Sequence, residues 1–185
     1  MRNSLQALSY FADQLAKNKA FLESVDYAVE LCNNKIYSGG KILICGNGGS
    51  HADALHFAEE FTCKFSKDRR PLPCIALGSN GPHITATGND YGFKYIFSRE
   101  IYAFSSDSAL IVLSTSGHSE NIIEALKTAY SLGIPSIALV GNDPSEVADY
   151  ASIVIQVPHY KTAMIQEIHM HILHYIVSQF ESWAN

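Results

Sequence analysis

Residues 41–60 read KILICGNGGSHADALHFAEE, and this stretch decides the fold class. A short apolar run at 41–45 comes directly before a glycine-rich turn, and a helical pattern follows from Ser50 to Phe65. The same order of apolar strand and helix recurs to the end of the chain. Strands that are apolar throughout are typical of a parallel sheet covered on both faces. The stretch therefore predicts an α/β fold.

Strand and helix patterns alternate along the rest of the chain. Apolar runs at 73–77, 109–114, 135–140 and 151–157 predict further strands, so we expect a parallel sheet of roughly five. This alternation predicts a three-layer αβα sandwich. The remaining helical patterns lie near His83–Thr87, at Phe97–Phe104, at Asn121–Leu132 and from about Ala163 to Trp183.

The N-terminal residues 1–39 predict two helices that end at Gly39–Gly40, a typical C-terminal cap. No strand pattern precedes them, so we expect them to pack outside the sheet. There they would serve subunit assembly or cover the core of their own chain, and both uses stay open. The length of 185 residues suits one domain over 1–185, with 1–39 as a helical appendage and 40–185 as the α/β core with its long C-terminal helix.

Composition and charge exclude several classes of function. With 18 acidic and 13 basic residues the net charge is −5, which disfavours a nucleic-acid surface. The basic cluster Lys64–Arg70 is interrupted by Asp68, and we expect it to be a solvated helix end. No apolar run reaches the roughly 18–20 residues of a membrane span, and the N-terminus reads as an amphipathic helix rather than a signal peptide. Cys45 and Cys74 lie in strand patterns and are expected to be reduced, buried thiols, so we expect a cytoplasmic protein.

The first candidate anion-binding loop is GNGGS at 46–50. Its glycines let backbone N–H groups approach a ligand at the start of the following helix. His51 stands at the third glycine position of the dinucleotide fingerprint, and no Gly-Lys-Ser/Thr follows, so neither that fingerprint nor a Walker loop is indicated. A tight turn between strand and helix explains the glycines equally well.

The second candidate loop is STSGHS at 114–119. Ser114, Thr115, Ser116 and Ser119 place four hydroxyls around a turn that opens onto a helix N-terminus. A helix cap alone would need one serine, so we favour a phosphate site. Both loops follow strands, and ligands of open α/β sheets bind at the carboxyl ends of strands.

Two helices carry side chains suited to metal ligation or acid–base chemistry. His56 and Glu60 are four residues apart and share a helical face. Within 165–175, Gln166 and His174 are separated by two turns, a rise of about 12 Å, so spacing alone does not pair them on one metal unless their side chains lean together. His169 and His171 are expected to be surface or interface residues.

The segment GNDYG at 88–92 is either a plain turn or a place where Asn89 and Asp90 bind sugar hydroxyls.

Taken together, CGNGGSHADALHFAEE, GNDYGF, STSGHS and VPHYKTAMIQEIHMHILH resemble the phosphoheptose isomerases of the sugar isomerase (SIS) domain family. The motifs occur in the family's order and cover nearly the whole chain. The resemblance implies an aldose–ketose isomerase that converts sedoheptulose 7-phosphate to D-glycero-D-manno-heptose 7-phosphate. This is the first step toward the heptose of surface glycans such as lipopolysaccharide or capsule. It also implies a homotetramer with active sites between subunits.

The resemblance assigns roles to individual residues by motif match. Glu60 and His174 would be the acid–base pair, with Glu60 as the base and His174 as the acid. One zinc ion per subunit would be held by His56, Glu60, Gln166 and His174. The residues implied in binding the phosphorylated sugar are Asn47, Gly48, Gly49, Glu60, Asn89, Asp90, Ser114, Thr115, Ser116, Ser119 and Gln166.

Three positions depart from the family pattern and leave the precise ketose phosphate open. Met164 and Lys64 stand where arginine is usual, and His118 stands in the phosphate loop where asparagine or lysine is usual. One alternative function is another SIS isomerase acting on a shorter ketose phosphate. A second is a non-catalytic adaptor of the same fold that associates with a replication initiator. The retained Glu60 and His174 disfavour the adaptor.

Overall fold

A five-stranded parallel sheet forms the centre of the computed structural model, which describes residues 1–181. The strand order is β2-β1-β3-β4-β5, and every neighbouring pair is parallel. The predicted parallel sheet is therefore confirmed. The strands are Lys41–Gly46 (β1), Cys74–Ala76 (β2), Ser108–Ser114 (β3), Ser136–Val140 (β4) and Ile153–Gln156 (β5).

Eight helices surround the sheet within the described residues, together with one 3-10 turn at Phe93–Tyr95. The first two helices precede the sheet, and the others follow its strands. They are Arg2–Ala16 (α1), Lys19–Tyr37 (α2), Gly49–Thr62 (α3), Gly81–Asp90 (α4), Ile96–Phe104 (α5), Glu120–Ser131 (α6), Ser145–Ala148 (α7) and Thr162–Ser178 (α8).

The strands bury both of their faces, which is why they read as apolar throughout. On one face Ile42 and Ile44 of β1 pack in a core with α2, α3 and α8. On the other face Leu43 and Cys45 pack in a second core with α5 and α6. Successive side chains of a strand point to opposite faces, so both sets must be apolar. The predicted three-layer αβα sandwich is confirmed.

The two N-terminal helices lie outside the sheet but differ in their packing. Helix α2 buries Val25, Ala28, Cys32 and Ile36 in the first core, so it covers the core of its own chain. In α1 only Leu15 is buried. Asn18 caps α2, because its side chain accepts a hydrogen bond of 3.1 Å from the backbone N–H of Phe21.

The observed ends of the helices differ from the predicted ends by a few residues, because helix ends fray and their boundaries are poorly marked in the sequence. Helix α3 ends at Thr62, before the predicted Phe65. Helix α8 ends at Ser178, and Trp183, the predicted end, lies outside the described residues. Helix α7 was not predicted, because four residues hold too little periodic pattern to be recognised.

The four cysteines are free, and Cys45 and Cys74 are buried as predicted. None of the helices within residues 1–181 combines the length and the apolar composition that crossing a bilayer requires.

Candidate functional site

The two candidate phosphate loops lie side by side at the carboxyl edge of the sheet. Strand β1 runs into GNGGS, strand β3 runs into STSGHS, and these strands are neighbours. Between β1 and β3 the direction of the strand order reverses, because β2 lies on one side of β1 and β4 and β5 lie beyond β3. Such a switch point leaves a crevice between the flanking loops, where open α/β sheets bind ligands.

An amide pair joins these two loops. The Nδ2 of Asn47 donates to the Oδ1 of Asn121 at 2.8 Å, and the Nδ2 of Asn121 donates to the Oδ1 of Asn47 at 2.8 Å. Asn121, in the first turn of α6, is 2% exposed. The pair fixes the position of one loop relative to the other. Sequence reasoning missed Asn121, since nothing in the chain indicates that its partner lies on a different loop.

A polar cavity of about 510 Å³ opens beside this pair and brings three of the predicted motifs together. The GNGGS loop contributes Asn47, the segment after α4 contributes Gly92 and Phe93, and the STSGHS loop contributes Ser119. The described residues that line the cavity are Asn47, Gly92, Phe93, Lys94, Ser119, Glu120 and Asn121.

The hydroxyls of the STSGHS loop divide into two kinds. The Oγ of Ser114 accepts from the backbone N–H of Gly117 at 3.1 Å, and the Oγ of Ser116 accepts from that of His118 at 3.3 Å. These bonds shape the turn and leave each hydroxyl proton available for donation. Ser119 occupies the N-cap position of α6, but its side chain makes no capping bond. Helix capping therefore does not account for Ser119.

Two glycines in these loops have backbones that other residues rarely adopt. Gly48, the N-cap of α3, has a φ of +54°, and Gly117 has a φ of +78°. A Cβ atom at Gly117 would also overlap the carbonyl oxygen of Asp143. The turns themselves thus require glycine at both positions.

A second cluster lies farther along α3, where this helix meets α8. The Oε1 of Glu60 is 3.3 Å from the Nε2 of His56 and 3.8 Å from the Nε2 of His174. The two imidazole Nε2 atoms are 3.3 Å apart, and the three ligand atoms all lie within 4.8 Å of one another. We call His56, Glu60 and His174 the triad. Residues that are distant in the chain are thus brought together, as the acid–base prediction requires.

The electrostatics of the triad centre on Glu60. Its side chain is 9% exposed, whereas those of His56 and His174 are 49% and 39% exposed. Burial raises the pKa of the Glu60 carboxyl, and the neighbouring imidazoles oppose that rise. Its Oε2 is buried without a hydrogen-bond partner among the described residues. Two imidazoles and a carboxylate with an unpaired oxygen form a donor set that suits a divalent metal ion.

Arg69 supports the backbone beneath Glu60 and corrects a prediction. Its guanidinium donates from Nη2 to the carbonyl oxygen of Glu60 at 2.6 Å and from Nη1 to that of Phe61 at 2.9 Å. Arg69 is 6% exposed, so the expectation that Lys64–Arg70 is a solvated helix end is wrong for this residue. Its charge is offset by the carboxylate of Glu181, 3.9 Å from Nε. The last carbonyls of a helix need donors, and the buried guanidinium supplies them.

Helix α8 runs alongside α3. It places Gln166 beside the start of α3 and His174 beside the end of α3. A Cβ atom on Gly49 would be 2.7 Å from the Nε2 of Gln166. Asp53 lies beside the same amide: burial raises the pKa of the Asp53 carboxyl, and its hydrogen bonding with Gln166 opposes the rise. The role of Gln166 as a metal ligand stays a prediction.

Asn89 and Asp90 lie in the last turn of α4 and not in a plain turn. Both are exposed, and the Nδ2 of Asn89 donates to the Oδ1 of Asp90 at 2.8 Å. Neither is among the described residues that line the 510 Å³ cavity. Their predicted contact with sugar hydroxyls stays a prediction.

His169 is buried, which corrects its predicted place at a surface or interface. It is 0% exposed, and its Nε2 lies 3.3 Å from the carbonyl oxygen of Val140. Burial lowers the pKa of His169 to about 4, so this imidazole is neutral near pH 7. His171, two positions later, is exposed as predicted. The spacing of histidines on α8 alone could not separate the two.

Comparison with known proteins agrees with this architecture. The SIS domain model matches residues 8–141. A phosphoheptose isomerase from Shigella dysenteriae is 40% identical over 183 residues, which are 98% of this chain and 95% of that protein.

Two solved structures match over nearly their whole length. The phosphoheptose isomerase of Neisseria gonorrhoeae superposes with a TM-score of 0.89 at 36% identity, covering 98% of this chain and 96% of that one. The phosphoheptose isomerase of Francisella tularensis gives a TM-score of 0.91 at 34% identity, with coverage of 98% and 96%. The chain therefore belongs to the SIS domain family and, within it, to the phosphoheptose isomerases.

Proposed function

We propose that this protein is an aldose–ketose isomerase that converts sedoheptulose 7-phosphate to D-glycero-D-manno-heptose 7-phosphate. The observation that carries the proposal is the 3.8 Å approach of His174 to Glu60, on two helices that are far apart in the chain but pack against each other. Isomerisation of an open-chain sugar needs such a pair, one group to remove a proton and one to donate it. The names of the 34–40% identical relatives support the same activity.

In the proposed mechanism Glu60 removes a proton from C1 of the ketose, and a proton is delivered at C2 through an enediol. His174 donates a proton to the oxygen on C2 as the enediol forms, and it takes a proton from the hydroxyl on C1 as C2 is protonated and the aldehyde forms. Burial raises the pKa of the Glu60 carboxyl when no ion is bound, which strengthens it as a base. A zinc ion held by the same carboxylate would oppose this effect. Binding of the remote phosphate orients the reacting carbons against this pair.

The phosphate and sugar contacts are proposed for the loops at the switch point. Ser114, Thr115, Ser116 and Ser119 would hold the phosphate, and hydroxyls that keep a free proton support this role. The sugar hydroxyls would contact the amide of Asn47 and the backbone at Gly48 and Gly49. The remaining proposed sugar contacts are Asn89, Asp90 and Gln166.

We also propose that the triad holds one zinc ion per subunit, with the Gln166 of a neighbouring chain as a further ligand, because the Gln166 of the same chain lies beside Gly49 at the other end of α3. The unpaired Oε2 of Glu60 and the two Nε2 atoms facing its Oε1 support this. Zinc, when bound, would polarise the oxygens of the substrate. Elemental analysis of protein purified without chelator should find about one zinc per chain, and His56→Ala should lose it. His171→Ala, on an exposed position of α8, is the matched control.

A homotetramer with active sites between subunits is part of the proposal. Along α3, Gly49 and Glu60 are separated by about 16 Å. An extended seven-carbon sugar phosphate spans only about 10 Å between C1 and phosphorus, at about 1.2 Å for each bond. This difference supports a site in which one chain binds the phosphate and another supplies Glu60 and His174. Exposed apolar side chains on α1 and α2, such as Leu5 at 58% and Leu22 at 43%, supply contact surface.

We propose the cytoplasm as the compartment and surface-glycan heptose as the destination of the product. Free buried thiols at Cys32, Cys45 and Cys74 support a reducing environment.

Incubation with ketose phosphates of different length tests the proposed activity. Sedoheptulose 7-phosphate, fructose 6-phosphate and ribulose 5-phosphate are supplied separately, and aldose formation is followed by NMR. We expect the heptulose phosphate to be converted with the highest kcat/KM. Equal or faster conversion of a shorter substrate would replace the proposed substrate, and no turnover of any of them would overturn the isomerase proposal.

A further inference from the structure

The phosphate loop of this chain has a histidine, but its neighbours already engage it. The Nδ1 of His118 is 2.9 Å from the Oε1 of Glu146, and its Nε2 is 3.3 Å from the Oδ2 of Asp143. With a carboxylate on each ring nitrogen, any positive charge on this imidazole is offset within the protein. The hydroxyls and N–H groups of the loop carry no net charge. A cation from elsewhere would therefore add a charge-assisted contact to a phosphate group with a charge near −2.

Lys94 stands on the wall of the 510 Å³ cavity, in the 3-10 turn at Phe93–Tyr95. Among the described residues that line the cavity it carries the only positive charge, and Glu120 carries the only negative one. The same cavity is lined by Ser119 and the amides of Asn47 and Asn121. A mobile ammonium, a hydroxyl and two amides are the groups that recognise a phosphorylated, hydroxyl-rich ligand.

The present contacts of Lys94 leave it free to turn toward a ligand. Its Nζ lies 5.0 Å from the ring centroid of Tyr95, a cation–π contact that at an exposed site is worth about 0.5–1 kcal/mol. The nearby Arg99 is engaged differently, because its guanidinium stacks 3.9 Å over the ring of Tyr91. Arg99 does not line the cavity, whereas Lys94 does.

We propose that Lys94 is the cationic contact for the phosphoryl group of the substrate and sets the preference of the site for phosphorylated sugars. The inference rests on the proposed isomerase function and adds a binding residue from outside the loops. The ammonium acts as a point charge on the phosphate oxygens, while the loop hydroxyls supply directional hydrogen bonds. Lys94 contributes to substrate binding and takes no part in proton transfer.

The test compares Lys94→Met with wild type in steady-state kinetics and in inhibition by inorganic phosphate. We expect KM for sedoheptulose 7-phosphate and Ki for phosphate each to rise about tenfold with kcat within a factor of two, the effect of one charge-assisted contact. Lys94→Arg should retain most of the affinity. Unphosphorylated sedoheptulose, used as a slow substrate, should show the same kcat/KM with wild type and Lys94→Met.

Lys19→Met serves as the control for the change in net charge, because Lys19 lies on the exposed side of α2 with its Nζ 3.4 Å from Glu23. It should leave KM and Ki unchanged. If KM and Ki of Lys94→Met match those of wild type, or if only kcat falls, Lys94 is not the phosphate contact. Inactivity of the wild type itself would overturn the isomerase proposal, while binding of inorganic phosphate by calorimetry would still report on Lys94.

Discussion

Glu60 is the residue on which the proposed chemistry depends. It is buried between two helices, one oxygen faces two imidazoles, and the other has no partner among the described residues. Sequence spacing predicted its pairing with His56, because residues four apart share a helical face. The approach of His174 could not be derived from spacing, since it depends on how α8 packs against α3.

Removing the charge of Glu60 should abolish most of the activity without unfolding the protein. In Glu60→Gln the side chain keeps its size but cannot accept a proton, so we expect kcat to fall by about 10²–10⁴-fold. The measurement is turnover of sedoheptulose 7-phosphate, with circular dichroism as the check on folding. Glu59→Gln is the matched control, because the Glu59 side chain is 60% exposed. Wild-type kcat in Glu60→Gln would exclude Glu60 as the base.

His169 should make the stability of the protein fall as the pH falls. Its pKa is about 4 in the folded chain against 6.5 in a model peptide, so below pH 6.5 the unfolded chain binds a proton that the folded chain does not. The stabilising contribution is complete above pH 6.5 and is lost as the pH falls toward 4, by about 3 kcal/mol in all. Urea unfolding at several pH values measures it.

The variant His169→Leu should lose the pH-dependent contribution of this imidazole. Its unfolding free energy should therefore depend less on pH between 6.5 and 4 than that of wild type. His171→Leu removes an exposed histidine of the same helix and should keep the wild-type dependence. Parallel pH curves for wild type and His169→Leu would contradict the assignment.

At the scale of elements, the end of α3 is held from outside the helix. Arg69 donates to the carbonyls of Glu60 and Phe61, and Glu181 binds the following loop, accepting 2.6 Å hydrogen bonds from Ser66 and from the backbone N–H of Lys67. These contacts join the loop after α3 to the segment after α8. They also fix the helical turn that carries Glu60.

Truncating Arg69 should destabilise the protein substantially. Arg69→Met leaves two buried carbonyls without this donor and removes the cation beside Glu181, so we expect a loss on the order of 3 kcal/mol in urea unfolding. Arg69→Lys should recover only part, because an ammonium cannot serve two carbonyls in the same fork geometry. Arg70→Met, at an exposed neighbouring position, should change stability little. If Arg69→Met and Arg70→Met had equal free energies of unfolding, the hydrogen bonds of the Arg69 guanidinium would contribute nothing to stability.

The elements were predictable to different degrees, for physical reasons. The strands were recognised because both faces of β1 and β3 are buried and their residues are apolar throughout. Arg69 lies in a loop and Asn121 in the first turn of α6, and polar residues at such positions are normally solvated. Both were missed because only the tertiary contacts show that they are buried. Capping donors and amide pairs leave no periodic pattern in the chain.

For the whole molecule, the sheet edge that carries the candidate phosphate loops followed from the sequence, while the strand order that makes these loops neighbours did not. Loops after parallel strands must lie at one edge of the sheet, so GNGGS and STSGHS were expected at the same edge. The distance from that edge to Glu60 is set by the length of α3, and it is this distance that supports a site shared between chains.

Mixing two inactive variants tests the shared site. Glu60→Gln lacks the base, and Ser119→Glu places a carboxylate where phosphate is proposed to bind. If each site takes its phosphate loop from one chain and Glu60 from another, equal co-expression should restore about a quarter of wild-type activity, since half of each contribution is intact. Each variant expressed alone is the control. Activity no higher than that of the separate variants would place the whole site within one chain.

The reciprocal bonds between Asn47 and Asn121 have a consequence for how this crevice can change over time. Each amide is both a hydrogen-bond donor and an acceptor. Replacing one partner therefore leaves two polar atoms of the other unpaired, at a site with little access to water. Neither position is expected to vary independently in descendants of this sequence. Drift at the rim of the crevice should therefore be concentrated at positions such as Glu120, whose side chain can be exchanged without breaking these bonds.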